Sequence, residues 1–283
     1  MAQAARSAFT DRQTMIRPDF EFYHYIDDPL LEIDYHSHDF YEIFFFISGN
    51  VSYEIEGKIY TLRPGDILLT DTRDLHRPIV KPGRKYERFV IWLQPDFIRS
   101  IESEGDRVTD CFQDADRKQY KLFRPGSELS AYLRRLCEKL DGSYENPAYG
   151  QRILTQAYML ELLVFLNMAY KDTSADIQLD ITENAKVNQV IAFINQNLNE
   201  ELSLDLLAQQ LHISKFYLSN QFKQYTGFTI YQYILKKRLI AARQLLRQNE
   251  PVMSACLACG FNDYSNFLKA FKREFGILPS SLS

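Results

Sequence analysis

Two histidines and a glutamate near the start of the chain have the types and spacing of a small binding site. His36, His38 and Glu42 are separated by even numbers of residues, so on an extended strand their side chains share one face. His76 follows later, where a neighbouring strand could place it beside them. Imidazole nitrogens and a carboxylate suit a divalent transition metal, and the same groups can hydrogen-bond a small polar molecule. Both chemistries are open at this point.

A second set of chemically useful side chains lies in the last third of the chain, on two predicted short helices. Each helix carries polar and basic residues on its outward face, and such residues can read base edges or bind phosphates in DNA. On the first helix these residues include Lys215, Asn220, Gln221, Lys223 and Gln224, and on the second they are Ser265, Asn266, Lys269, Lys272 and Arg273.

Helix caps predict the elements that position this second set. Ser203 begins a short helix at 204–211, and Ser214 begins another at 215–225 that ends at Gly227. The pair forms a helix-turn-helix pattern. A second copy has a short helix at 252–259 and a helix at 264–275 that begins after Asp263.

A longer helix joins the two copies. Thr229 and Gln232 form a capping box, and the apolar spacing continues to about Arg247. A helix of this length spans about 28 Å, and one turn of B-DNA is roughly 34 Å. The joining helix could therefore hold two recognition helices in successive major grooves on one face of a duplex.

The segment LSLDLLAQQLHISKFYLSNQFKQYTGFTIYQYILKKRLIAARQLL, followed by GFNDYSNFLKAFKREFG and Pro279, resembles the AraC/XylS family of transcription regulators. The resemblance begins near Val187 and implies two helix-turn-helix units that each present one helix to the major groove. It implies base contacts by Phe216, Ser219, Asn220, Ser265, Asn266 and Lys269, with Lys223, Lys272 and Arg273 on phosphates. We add Lys215 to this predicted DNA-binding set.

The first half of the chain predicts a β-barrel followed by helices. Short apolar or alternating runs at 41–47, 51–57, 58–62, 66–70 and 88–93 are separated by turn residues, which is typical of a barrel or sandwich. Helical spacing follows at 127–140 and 149–170. Apolar residues lie nearly all round the second helix, which favours contacts with both a core and a dimer partner.

The spacing of His36, His38, Glu42 and Gly49, with Pro64-Gly65-Asp66 and His76, resembles the two motifs of the cupin family. The resemblance implies a barrel that holds a metal or, when fused to an AraC-type DNA-binding half, a small effector. Our candidate effector-binding residues, chosen because aromatic faces and polar tips suit a sugar, are Tyr35, His36, His38, Glu42, Tyr53, His76 and Trp92.

Three hypotheses remain for the barrel: an effector pocket, a metal site formed by His36, His38, Glu42 and His76, or a structural remnant. The first, which we favour, predicts no cofactor and a non-enzymatic regulator, more an activator than a repressor. The alternative is a metal-binding cupin sensor or enzyme fused to a DNA-binding domain.

Charge separates the two halves. Residues 184–283 carry 11 basic and 6 acidic side chains, whereas residues 1–183 carry 22 basic and 31 acidic ones. The sequence therefore predicts a two-domain α+β protein whose basic half meets a polyanion. The predicted bounds are an arm at 1–20, an effector and dimerisation domain at 21–170, a linker at 171–183 and a DNA-binding domain at 184–283.

Composition narrows the class of protein further. Four scattered cysteines do not make a disulfide framework, and the N-terminus has no apolar signal region. The most apolar run, at 159–170, is too short to cross a bilayer. We expect a cytoplasmic protein without a membrane partner. Its expected partners are double-stranded DNA, a sugar-like effector, a second copy of the chain and, for an activator, RNA polymerase.

Overall fold

The computed structural model describes residues 13–28, 33–105, 107–172 and 180–282, and the chain divides into two compact units. The main boundary falls between Ile181 and Thr182, inside the predicted linker, and the segment Glu56–Lys58 is also assigned to the second unit. Residues 173–179 of that linker and 1–12 of the predicted arm lie outside the described residues. The first unit is rich in strands and the second is helical, which confirms the predicted two-domain α+β class.

Two sheets form the first unit. The larger has the strand order β1-β7-β2-β5-β8 and the smaller has the order β6-β3-β4-β9. The strands are β1 (Phe20–Asp27), β2 (Tyr41–Ser48), β3 (Val51–Ile55), β4 (Lys58–Thr61), β5 (Ile67–Thr70), β6 (His76–Val80), β7 (Tyr86–Leu93), β8 (Leu122–Phe123) and β9 (Ile181–Thr182).

The two faces of β2 explain its nearly continuous apolar sequence. Ile43 and Phe45 pack into a core that includes the helices, whereas Phe44 and Phe46 pack into a second core with residues of the smaller sheet. A strand that is covered on both faces needs apolar residues at nearly every position. Glu42 is the exception, and it faces the second core from a position paired with Trp92 of β7.

Four helices cover the outer face of the larger sheet, and their residues join its core. They are α1 (Pro95–Ile101), α2 (Asp110–Arg117), α3 (Ser127–Ser143) and α4 (Gln151–Asp172). The two helices predicted at 127–140 and 149–170 are therefore present; the first begins at Ser127 as predicted, and the other three ends are shifted by two or three residues.

The last of these helices, α4, has two apolar faces. Met159, Leu163 and Leu166 are buried in the core, while Ile153 and Val164 are exposed. The segment Gln151–Lys171 has the length and mean hydropathy, 1.3, of a membrane span, although a core helix can have the same properties. It is longer than the apolar run that the sequence analysis considered.

The second unit consists of helices that follow one another with short connections. They are α5 (Ala185–Gln196), α6 (Leu204–Gln210), α7 (Lys215–Thr226), α8 (Ile230–Arg247), α9 (Val252–Ala258), α10 (Tyr264–Phe275) and a 3₁₀ turn at Pro279–Ser281. Buried residues of α8, α9 and α10, among them Leu239, Cys256 and Phe271, form one core.

The predicted helix starts are confirmed. Ser203, Ser214 and Asp263 each accept a hydrogen bond from a backbone N–H in the first turn of the helix that follows. Thr229 and Gln232 form both hydrogen bonds of the predicted capping box. These local bonds orient both recognition helices relative to the turns that precede them.

Candidate functional site

A small cavity of about 40 Å³ lies between the two sheets of the first unit. Its wall is largely aromatic, with one carboxyl group and one guanidinium group among the aromatic rings. The lining residues central to its chemistry are Tyr25, His36, Glu42, Tyr53, Tyr86, Arg88 and Trp92.

Glu42 is the acceptor of the cavity. Its carboxylate accepts hydrogen bonds from Trp92 Nε1 at 2.7 Å and from the Tyr53 hydroxyl at 3.4 Å. Burial raises the pKa of Glu42 to about 7, although these two donors pull it downward. Near neutral pH this side chain can therefore accept a hydrogen bond as a carboxylate or donate one as an acid.

Arg88 is the cation of the cavity and is 2% exposed. Its guanidinium donates to the Asp27 carboxylate and, at 3.3 Å, to the Tyr86 carbonyl. It also lies 4.0 Å from the ring centroid of Tyr86 and 4.8 Å from that of Tyr25. The ion pair with Asp27 compensates the burial of this charge next to the cavity.

Two histidines flank Glu42. His38 Nε2 lies 3.7 Å from Glu42 Oε2, and His76 Nε2 lies 3.9 Å from Glu42 Oε1. Each histidine donates from Nδ1 to a backbone carbonyl, His38 to Phe40 at 2.7 Å and His76 to Asp74 at 3.0 Å. Both Nε2 atoms are therefore acceptors in the neutral rings, and the three side chains could hold a metal ion.

The structure brings together six of the seven predicted effector residues. His36, Glu42, Tyr53 and Trp92 line the cavity, while His38 and His76 lie next to Glu42. Tyr35 lies apart, because its ring stacks with Arg77 on the other face of β6. Burial raises the pKa of the Tyr35 hydroxyl, and the nearby Glu54 carboxylate raises it further.

The expectation that His36, His38 and Glu42 lie along one strand is wrong. The chain bends at Asp39–Phe40, and β2 begins only at Tyr41. His36 instead forms an isolated bridge with His76, and their rings are 4.3 Å apart. The histidines and the glutamate meet through this bridge and not through strand alternation.

Sequence reasoning missed Arg88, Tyr86 and Tyr25. The first two alternate with Trp92 along β7, and all three of these side chains face the cavity. Extending the alternation back from Trp92 would have found them. Tyr25 lies on β1, which the sequence analysis did not define as a strand.

The recognition surface is the second candidate site. We define it by the ten predicted DNA-binding residues, of which nine are exposed and Ser219 is half-buried. Phe216 is 79% exposed, so its ring is available for an apolar contact such as one with a thymine methyl group. Lys215 forms an ion pair with Asp205 of α6, so its charge is shared within the motif.

Contacts at the loop before α6 connect the two helix-turn-helix units. Arg238 of α8 donates to the carbonyl of Leu198 at 2.9 Å and to that of Glu200 at 2.6 Å, just before α6. Gly260, in the turn between α9 and α10, packs against the same place. An added Cβ there would lie 2.5 Å from the Leu198 carbonyl oxygen.

A cavity lined by aromatic rings, a carboxyl group and a guanidinium group in one unit, and two helix-turn-helix motifs in the other, are the features of a DNA-binding regulator with a ligand-binding domain. Models of known families give the same assignment. The AraC-like ligand binding domain matches residues 20–163, and a helix-turn-helix domain matches residues 207–283. The chain belongs to the AraC family of transcription regulators.

Similar proteins include the HTH-type transcriptional activator RhaS of Salmonella schwarzengrund (strain CVM19633). It is 28% identical over 258 residues, which are 87% of this chain and 86% of that protein. RhaS of Salmonella arizonae (strain ATCC BAA-731 / CDC346-86 / RSK2980) is 27% identical over 259 residues, with the same two coverages.

Solved structures similar to parts of the chain include a regulator with an AraC-type DNA-binding domain from Chromobacterium violaceum. It is 34% identical, with a TM-score of 0.33, over 34% of this chain and 88% of that one. ToxT from Vibrio cholerae strain SCE256, as the apo form of a single-residue variant, is 15% identical with a TM-score of 0.39. That match covers 94% of this chain and 97% of ToxT.

Proposed function

We propose that this regulator is a transcription activator controlled by a carbohydrate that binds in the cavity of its first unit. The observation that carries the proposal is the pairing of Glu42, an acceptor, with Arg88, a donor, inside an aromatic wall. Sugar hydroxyls need both kinds of partner, and the apolar faces of sugar rings pack on aromatic side chains. The activator role is suggested by the RhaS relatives.

The cavity is too small to hold a sugar without a conformational change of the protein. About 40 Å³ is far below the roughly 300 Å³ of a small-molecule pocket. A sugar must therefore displace part of the wall, and Gln13 and Ile33 are two lining residues that lie outside the strands of both sheets. Displacement of these two residues would give the effector different affinities for two arrangements of the domain, as control of a regulator requires.

Trp92 provides the direct test, because it is the single tryptophan of the chain and lines the cavity. We would titrate the full-length protein with mono- and oligosaccharides while recording tryptophan fluorescence and thermal unfolding. A binding sugar should change the emission and raise the unfolding temperature.

Glu42→Gln and Arg88→Lys should weaken that response, whereas Arg77→Gln, on the outer face of β6, should leave it unchanged. A sugar that stabilises all three variants and the original chain equally would place its site elsewhere and would contradict the proposal. A reporter gene behind a DNA segment selected by the protein would then test activation.

We further propose that α4 joins two copies of the chain. Its exposed apolar residues recur at helical spacing along one side, where Ile153 is 72%, Leu160 39%, Val164 47% and Met168 55% exposed. Such a stripe on a soluble helix favours a partner helix of the same kind. Val164→Glu should convert dimers to monomers in sedimentation equilibrium, whereas Glu138→Lys on the exposed side of α3 should not.

A metal sensor is the second candidate, and a specific observation favours it. His38, Glu42 and His76 present three ligand atoms within 4.8 Å of one another, all buried. Within the described ranges, His76 Nε2 is buried and has no hydrogen-bond partner. Metal analysis of protein purified without chelator, with EDTA reversal of any stabilisation, would separate this candidate from the sugar sensor.

We also infer that either kind of sensor acts in the cytoplasm.

A further inference from the structure

A groove of about 600 Å³ runs between the two helix-turn-helix units. Ser219 of α7 lies on one side of it and Asn266 of α10 on the other, while α8 supplies its floor through Ile234 and Leu235. Both recognition helices therefore border the same groove, and both bordering residues belong to the recognition surface.

Tyr231 projects from α8 at this groove. It is 75% exposed, although Ile230 before it and Tyr233 after it are buried. The capping box of Thr229 and Gln232 fixes the same helical turn, with hydrogen bonds of 2.9 and 3.2 Å. A large side chain thus stands in solvent on a rigid support. In the part of the chain that the structure describes, its hydroxyl forms no hydrogen bond.

The geometry of B-DNA determines which part of a bound duplex lies over this groove. The 18 residues of α8 span about 27 Å, somewhat less than the roughly 34 Å between successive major grooves. When two recognition helices enter successive major grooves, the minor groove and its two phosphate strands lie between them. A residue that lines the space between Ser219 and Asn266 therefore faces phosphates and not base edges.

The charged side chains in the groove form hydrogen bonds with other groups of the protein. The Arg238 guanidinium donates to the carbonyls of Leu198 and Glu200. Asp263 accepts a hydrogen bond from the backbone N–H of Asn266 at 2.8 Å. The groove thus holds one positive and one negative group, and the Tyr231 hydroxyl is one of the neutral donors that line it, together with the side chains of Ser219, Asn262 and Asn266.

We propose that Tyr231 positions the protein on DNA by donating a hydrogen bond from its hydroxyl to a backbone phosphate between the two major-groove sites. The contact is independent of base sequence and sets the register of both recognition helices. It rests on the predicted entry of α7 and α10 into successive major grooves, and the experiments below test the two ideas separately.

The first experiment compares Tyr231→Phe with Tyr149→Phe, an exposed tyrosine of the first unit. The full-length protein is used with a duplex that it selects from random sequences and with a scrambled duplex. Loss of the hydroxyl should weaken binding to both duplexes by about 2–10-fold. The dependence of affinity on salt should not change, because no charge is lost. A loss confined to the selected duplex, or a smaller salt slope, would overturn the proposal.

The second experiment maps the position of residue 231 on the duplex. All four native cysteines are buried, so an iron chelate attached to Tyr231→Cys should label that site selectively. Hydroxyl radicals should then cut the minor-groove segment between the two protected major-groove sites. The same reagent on Asn220→Cys, in α7, should cut inside one of those sites.

The two conjugates distinguish the possible failures. If the Asn220→Cys conjugate cuts outside the protected sites, the predicted placement of α7 is wrong and the proposal falls with it. If that conjugate cuts as expected but the Tyr231→Cys conjugate cuts outside the intervening segment, or nowhere, only the role of Tyr231 is overturned.

Discussion

The cavity and the recognition surface place their charged groups in opposite settings. Around the cavity, Arg88 is buried against Asp27, and nearby Lys121 is buried against Asp74 at 2.7 Å. On the recognition surface, Lys223, Lys269 and Lys272 are exposed. A buried charge is costly to leave without its partner and is weakly screened, whereas an exposed charge contributes little to folding and responds to salt. The first region should therefore be sensitive to the loss of ion pairs, and the second to salt when DNA binds.

The largest expected effect follows from breaking the buried pair at the cavity. Arg88→Met leaves the Asp27 carboxylate without its guanidinium partner, and removing one member of such a pair typically costs about 3–5 kcal/mol. Urea unfolding of the first unit should show this loss. Arg99→Met, which breaks the exposed pair with Asp96, should cost less than about 1 kcal/mol. Equal losses in the two variants would mean that burial does not distinguish these ion pairs.

In the DNA-binding unit, we expect backbone geometry at a glycine to contribute to stability as the buried ion pair does in the first unit. Gly260 and Gly276 have φ angles of +78° and +73°, but only Gly260 packs closely, with the Leu198 carbonyl oxygen 2.5 Å from an added Cβ. Alanine should cost about 1–2 kcal/mol at either position because of the left-handed backbone. At Gly260 it should cost a further ~1–3 kcal/mol from the clash.

Thermal unfolding of Gly260→Ala and Gly276→Ala measures that difference. Since Gly260 lies between the two helix-turn-helix units, Gly260→Ala should also weaken DNA binding more than Gly276→Ala does. If the two variants are equally stable, the turn between α9 and α10 can accommodate the added Cβ at residue 260 without displacing the loop before α6.

The same contrast explains what could be predicted from the sequence. Caps and spacing are local, so the positions of Ser203, Ser214 and Asp263 predicted α6, α7 and α10 to within one residue at each end. Outward faces on short helices then follow from the period of 3.6 residues. The doubled pattern and its family resemblance therefore led directly to the recognition surface.

The cavity depends on contacts that are distant along the chain. Whether Tyr35 faces inward depends on where β2 begins and on the pairing of His36 with His76, and no local pattern states either. Arg88 faces the cavity because Asp27, on the neighbouring strand β1, compensates its charge. A charged residue in an apolar run suggests solvent exposure until that partner is known, and so the sequence analysis passed over it.

A smaller change in the free energy of unfolding is expected when the pH is varied. His24 lies between two carboxylates, with Nδ1 3.0 Å from Asp141 and Nε2 3.0 Å from Glu87. Burial lowers the pKa of His24, but the hydrogen bonds to Asp141 and then Glu87 outweigh it, and the net shift is upward. A raised pKa in the folded state stabilises the protein below the unfolded value of about 6.5. That stabilisation is lost as pH rises through the folded pKa.

His24→Gln removes this titration and should cost about 1 kcal/mol at pH 5.5 and much less at pH 8.5. Urea midpoints of the variant and the original chain, measured across that range, give the difference. The exposed His212, in the turn before α7, provides the control through His212→Asn. A difference that does not vary with pH would mean that His24 is neutral throughout and acts only through packing.

The smallest effect concerns the recognition surface and leaves folding unchanged. Lys272 is exposed in the last turn of α10, and we predict that it contacts a DNA phosphate. Each phosphate contact by a cation releases condensed counterions, so Lys272→Gln should reduce the slope of log K against log salt by about 0.9. Its urea midpoint should stay within the error of the original chain, whereas that of Arg88→Met should fall. Lys139→Gln, exposed on α3, should change neither quantity. A salt slope unchanged by Lys272→Gln would remove this residue from the phosphate contacts, and a lowered midpoint would show that its charge serves folding, as charge does around the cavity.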